Sequence, residues 1–220
     1  MIKLLCRKEC LRLTLAGWLL ILLLLGTGGG LILTKIHGFL TPVHPMGGDM
    51  LVIEGWLPDA ELWKAIARLE RGHYRFIVTT GGPLERGGLL SEYHTYAQLS
   101  LASLQKMGVG KPMFAVPSPD VQRDRTYASA LALRYWLKIQ FPEIRTFDLI
   151  TAGAHARRSH LLFCKAFGAD FNIGIIALPP SSYDASSWWA SSAGVRSIIG
   201  EGLAWFYAAL LFSPSDALSS

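Results

Sequence analysis

From residue 49 onward, short apolar runs alternate with longer segments of helical periodicity. No other feature of the chain constrains its fold as tightly. The runs at 50–53, 75–80, 113–116, 146–151 and 171–177 read as strands, and 58–71, 91–107, 124–139, 155–167 and 195–212 read as helices. In 58–71, Asp59 and Glu61 occupy the first turn. Leu62, Ala65, Ile66 and Leu69 follow at i, i+3, i+4, i+7 spacing, and Gly72 ends the pattern. Ser91 and Asp124 stand where N-caps are expected, and Gly108 stands where a helix stops. Strands separated by helices of this length form βαβ units. Strands apolar along their whole length suit a parallel sheet covered on both faces. The expectation is an α/β protein: a three-layer α/β/α domain over residues 49–212 with a mainly parallel sheet of about five strands.

Residues 13–34 carry no charge and are dominated by Leu and Ile. As a helix they extend roughly 33 Å, enough to cross a hydrocarbon core of about 30 Å. A cleavable signal peptide has a shorter apolar core, about 7–15 residues, and a small-x-small site. The only small cluster here is the glycines at 26 and 28–30. The run is therefore read as an uncleaved transmembrane anchor. Net charge supports a direction for it. Of the formal +5, residues 1–12 hold +3 and Lys35 holds one, leaving +1 for the rest of the chain. The positive-inside rule then places residues 1–12 in the cytoplasm and everything after a 35–48 linker outside it, in a periplasm or its equivalent. The chain is read as a single-pass protein of the bacterial inner membrane, with the bilayer as a partner. Residues 213–220 read as a flexible tail.

Basicity confined to the terminus argues against a nucleic-acid surface, which needs clustered Lys and Arg on the folded part. A hydrophobic content of 51% with 17% charged residues excludes a disordered chain. Cys6, Cys10 and Cys164 form neither a disulfide framework nor a metal set, and His73 and His94 have no ligand spacing with other donors. No metal and no cofactor is expected. A G-x-S-x-G elbow and a Walker motif are both missing.

In open α/β sheets ligands bind beyond the carboxyl ends of the strands. Those segments are Glu54-Gly55-Trp56, Thr79-Thr80-Gly81-Gly82, residues 117–126, and Thr151-Ala152-Gly153-Ala154-His155-Ala156-Arg157-Arg158. With Ser91-Glu92, Met107-Gly108-Val109 and Asp124-Arg125-Thr126, they follow the order of motifs in the YdcF-like family, which includes SanA and ElyC. The chain resembles that family over about residues 49–212. The chain departs from it at Ala128-Ser129, where the family often has Glu-Asn, and in carrying one glycine in the first loop. The resemblance implies a Rossmann-like domain behind an N-terminal anchor. It also implies a role in cell-envelope integrity, in peptidoglycan or carrier-lipid metabolism. One cytoplasmic branch of the family is associated with S-adenosylmethionine, so nucleotide or S-adenosylmethionine binding stands as an alternative.

Gly81-Gly82 lets backbone approach a ligand closely. Arg157 and Arg158 can grip a phosphate or carboxylate, but they diverge by about 100° on a helix. Arg158 shares the side of His155 and is the one expected to face the crevice. His155 is a candidate general acid/base, with Glu92 or Glu54 as its carboxylate. Gly55, Thr80, Arg125 and Thr126 complete the expected ligand contacts. The plainer readings are that Glu92 serves a helix dipole, Asp124 a cap, and His155 a hydrogen bond. The expected occupant is a phosphorylated or otherwise anionic small molecule, or a lipid-linked head group, which the protein either hydrolyses or only binds. In the second case it would be an envelope assembly or sensing factor with a protein partner. Trp188, Trp189, Trp205 and Tyr207 fit either an aromatic belt or a core.

Overall fold

The computed structural model describes residues 14–214, which divide into two units, one ending at Ile36 and the other beginning at His37. The basic residues 1–12 with Cys6 and Cys10, and residues 215–220 of the expected tail, lie outside the described residues. Helix α1 (Leu15–Leu40) is long and apolar enough to cross a membrane. It runs past the uncharged stretch and through Lys35.

The second unit is a mixed α/β fold. It contains β1 (Val43–His44), β2 (Met50–Glu54), α2 (Asp59–Arg71), β3 (Phe76–Gly81), α3 (Tyr96–Lys106), β4 (Met113–Pro117) and α4 (Arg125–Gln140). Then follow β5 (Thr146–Ala152), α5 (Ala156–Phe167), β6 (Asn172–Leu178) and α6 (Ser192–Leu210). The strands make one sheet in the order β1-β6-β5-β2-β3-β4. All neighbours are parallel except β1, which runs antiparallel to β6. The sheet thus has six strands rather than about five, and the expected 35–48 linker supplies the extra one. Two residues are too few to show a strand period. The prolines at 42 and 45 that suggested a linker are tolerated because β1 is an edge.

Neighbouring residues of a strand point to opposite faces. Leu51 and Ile53 join Ile77, Ile150 and Ile176 in a cluster with Leu62, Ala65 and Leu69 of α2 and Leu104 of α3. Met50 and Val52 join Val78 and Leu149 in a second cluster with Leu133, Leu137, Leu162, Phe163 and Ala208. Burial on both sides explains why these strands are mainly apolar on both faces.

At the amino end of the strands one buried acid organises the structure. Asp148 on β5 accepts from the Met46 amide at 2.6 Å, the Gly47 amide at 3.1 Å and the Tyr74 hydroxyl at 2.6 Å. Burial, with the Asp148 carboxylate beside it, pushes the Tyr74 phenol well up.

Two helix starts differ from expectation. α3 begins at Tyr96, not near Ser91. Thr95 caps it in a reciprocal box with Gln98, a partnership Ser91 lacks because His94 stands three residues on. Asp124 holds the N-cap position of α4, but in the left-handed region at φ 57° and with no backbone amide donating to its carboxylate as a cap.

Candidate functional site

The chain builds β2, β3 and β4 outward in one direction, then returns to lay β5 and β6 on the other side of β2. β2 and β5 are therefore the switch point, where a crevice opens beyond the carboxyl ends of the strands. A cavity of about 1020 Å³ lies there. Its floor is Glu54 from the end of β2 and Thr80-Gly81 from the end of β3. Its rim comes from helix starts: Pro58 and Ala60 at α2, Tyr96 at α3, Arg125 and Thr126 at α4, and Gly153 and His155 in the 3₁₀ turn that leads into α5. α6 closes one side with Ser197, Glu201, Ala204 and Tyr207.

Two glycines make this edge. A Cβ on Gly55 would stand 2.5 Å from the Tyr96 carbonyl oxygen and 2.7 Å from that of Thr80, which the Gly55 amide bonds at 2.6 Å. Gly81 turns at φ 154°, and a Cβ there would meet the Tyr96 side chain at 2.8 Å. Both let α3 begin directly against the strand ends.

The chemistry centres on His155. Its Nδ1 is 2.9 Å from Glu201 Oε1, and its Nε2 is 3.6 Å from Glu54 Oε2. Arg158 closes a fork on Glu201, with Nε donating to Oε2 at 2.8 Å and Nη2 to Oε1 at 3.1 Å. Arg158 Nη2 also lies 2.9 Å from His155 Nδ1, and Glu201 Oε1 bridges the two. Ser159 donates to Glu54 Oε1 at 2.9 Å. Trp56 stands edge-on to the imidazole, ring centres 5.1 Å apart.

Burial alone would lower the pKa of His155. The Glu54 and Glu201 carboxylates outweigh that and raise it to about 9. Burial likewise pushes Glu201 up, and the hydrogen bonds and charges of His155 and Arg158 bring it down to about 2. Glu54 ends below the ordinary range: burial raises it, and His155 with its hydrogen-bonding neighbours more than compensates. The group is an imidazolium between two carboxylates at neutral pH. Three polar atoms of the floor are buried without a hydrogen-bond partner: Glu54 Oε2, Thr80 Oγ1 and His155 Nε2.

Of the residues singled out in the sequence, Glu54, Thr80, Gly81, Gly82, Arg125, Thr126, His155 and Arg158 line the cavity. Arg157 does not. It packs over the Phe39 ring at 4.1 Å and donates to the Phe39 carbonyl. Gly55 shapes the edge from behind. Glu92 is exposed in the loop before α3 and outside the lining, so it is not brought to His155. The carboxylate that meets Nδ1 is Glu201, which sequence reasoning missed. Its signal was present: it is the one acid in α6, whose only other charge is Arg196. Arg125 pairs with Glu85 at the exposed mouth. Among the described residues no group of His, Cys, Asp and Glu is placed to hold a metal ion.

The chain matches no protein-family model, no curated protein and no solved structure.

Proposed function

We propose that this chain is a membrane-anchored, extracytoplasmic protein of the cell envelope. Its three-layer, Rossmann-like domain, of the YdcF-like kind, binds an anionic small molecule or lipid-linked head group in the carboxyl-edge cavity and hydrolyses a phosphate ester or pyrophosphate there. One observation carries the reading: four helix starts converge on a single cavity. First-turn amides have no intrahelical partner and the helix dipole is positive at that end, so each start favours an anion. Arg125 can turn to the ligand at little cost, since an exposed ion pair contributes only about 0–1 kcal/mol.

The cluster on the floor supplies proton chemistry. A His155 already protonated at neutral pH is a general acid for a leaving oxygen. Glu54, ionised and facing Nε2 at 3.6 Å, is the base in this scheme, taking a proton from water. Arg158 is a positioning residue in this scheme, because Glu201 already occupies its fork.

The test is a thermal-shift screen of the full chain in detergent against orthophosphate, pyrophosphate, nucleotides, S-adenosylmethionine and undecaprenyl phosphate, beside Arg125→Ala and Thr126→Val. A ligand at a hundred times its dissociation constant stabilises by about 2.7 kcal/mol. Stabilisation by a phosphate compound that weakens in both variants supports the reading. A response to S-adenosylmethionine alone, or no response to any anion, contradicts it. Binding without phosphate release, unchanged in His155→Gln, leaves a non-catalytic sensing or assembly factor.

A further inference from the structure

We infer that the outer face of α6 beds into the surface of the lipid bilayer, so that the helix walling the cavity is itself a membrane-surface helix. Ile199, Leu203, Phe206 and Leu210 follow one another at spacings of four, three and four residues, a single stripe on a 3.6-residue helix. All four are exposed, with Leu203 68% and Leu210 66% accessible. Arg196 lies on the same face one turn earlier and is also exposed, and Trp189 stands exposed just before the helix. An apolar stripe with a basic residue and an aromatic at its border is the pattern of a helix lying in the interface plane.

The opposite face of α6 is committed to the fold. Gly194, Ile198 and Ala208 are buried, and Glu201 reaches into the cavity. The outer stripe is therefore not core turned outward by chance.

The occupant follows from chain connectivity. Trp205 of α6 packs edge-on against Phe39, ring centres 4.9 Å apart. Phe39 is only three residues past Ile36, where the unit carrying the membrane-length helix ends. Three residues of helix span about 4.5 Å. The chain thus leaves the folded unit beside α6, and a bilayer crossed by the preceding residues is the apolar surface within reach. The inference rests on the anchor reading, and its test separates the two.

The test uses the full chain, with Cys6 and Cys10 changed to Ser and Cys164 to Ala, in vesicles of phosphatidylethanolamine and phosphatidylglycerol. Single cysteines at 199, 203, 206 and 210 carry a nitroxide label, with Leu22→Cys as an anchor control and Tyr135→Cys as a solvent control. Accessibility to oxygen and to a water-soluble nickel complex is read by electron paramagnetic resonance. Labels at 203, 206 and 210 are expected to favour oxygen over nickel several-fold more than the label at 135. Labels at 203, 206 and 210 in water with the label at 22 in lipid would overturn the docking and leave the anchor standing. A label at 22 in water would overturn both. Labels on α6 shielded from both reagents would mean that protein, a second copy or a partner, covers the stripe.

Discussion

The sheet buries an acid at each end, and the two are treated differently. Asp148, at the amino end, is fully enclosed and receives three hydrogen bonds from Met46, Gly47 and Tyr74. Glu54, at the carboxyl end, is almost as deeply buried, yet its Oε2 and the facing His155 Nε2 make an ion pair at 3.6 Å with no hydrogen bond, in two residues that line a cavity. A buried polar group without a partner costs about 1–3 kcal/mol. The amino end therefore spends its polar groups on holding the chain together. The carboxyl end keeps a charged cluster that is short of hydrogen bonds and lies at the wall of a cavity.

The largest expected effect is at the amino end. Asp148→Ala strands two backbone amides and a phenol, and should lower unfolding free energy by about 3–5 kcal/mol in denaturant titration. Ligand affinity of the fraction still folded should be unchanged. If affinity falls as far as stability, the division between the two ends is wrong.

Next in size is the ion pair itself. The shift of Glu201 from 4.5 to about 2 corresponds to roughly 3 kcal/mol. A lowered folded-state pKa means stability that is complete above pH 4.5 and drains away as pH falls towards 2. His155 shows the same interaction from the other side. Its raised pKa means stability that is complete below 6.5 and is lost as pH rises through about 9. Glu201→Gln should flatten the acid limb and His155→Gln the alkaline limb of a stability-against-pH curve. Unchanged limbs would show that the cluster is solvated and not poised.

Smallest is Arg157→Ala. It removes a partly exposed contact over Phe39 and should cost about 0.5–1 kcal/mol without altering ligand binding. Arg158→Ala should do more on both counts, because it leaves the Glu201 carboxylate without its guanidinium fork.

The alternating strands and helices were legible because a strand covered on both faces is apolar at every position, and each helix shows its own period. Glu54, Thr80, Arg125 and His155 were legible for a topological reason: parallel strands bring the residues after their carboxyl ends to one crevice. β1 was not, since an edge strand of two residues carries no pattern. Glu92 was misjudged with its helix. Moving the start of α3 from Ser91 to Tyr96 leaves Glu92 in a loop, outside any first turn. Glu201 was missed because it lies 46 residues from His155, and nothing local shows which helix packs over the site. A single acid in a mainly apolar helix was the available clue.

At neutral pH His155 is an imidazolium, held between Glu54 and Glu201 on the floor of the cavity. Imidazole ¹⁵N and ¹³C shifts of His155, assigned by comparison with His155→Gln and followed from pH 5 to pH 10 in the full chain, read this directly. One transition is expected, with its midpoint near 9, displaced towards 6.5 in Glu201→Gln. A midpoint at or below 6.5 in the unaltered chain would contradict it, because burial would then outweigh both carboxylates and His155 would be neutral where the proposed chemistry needs it charged.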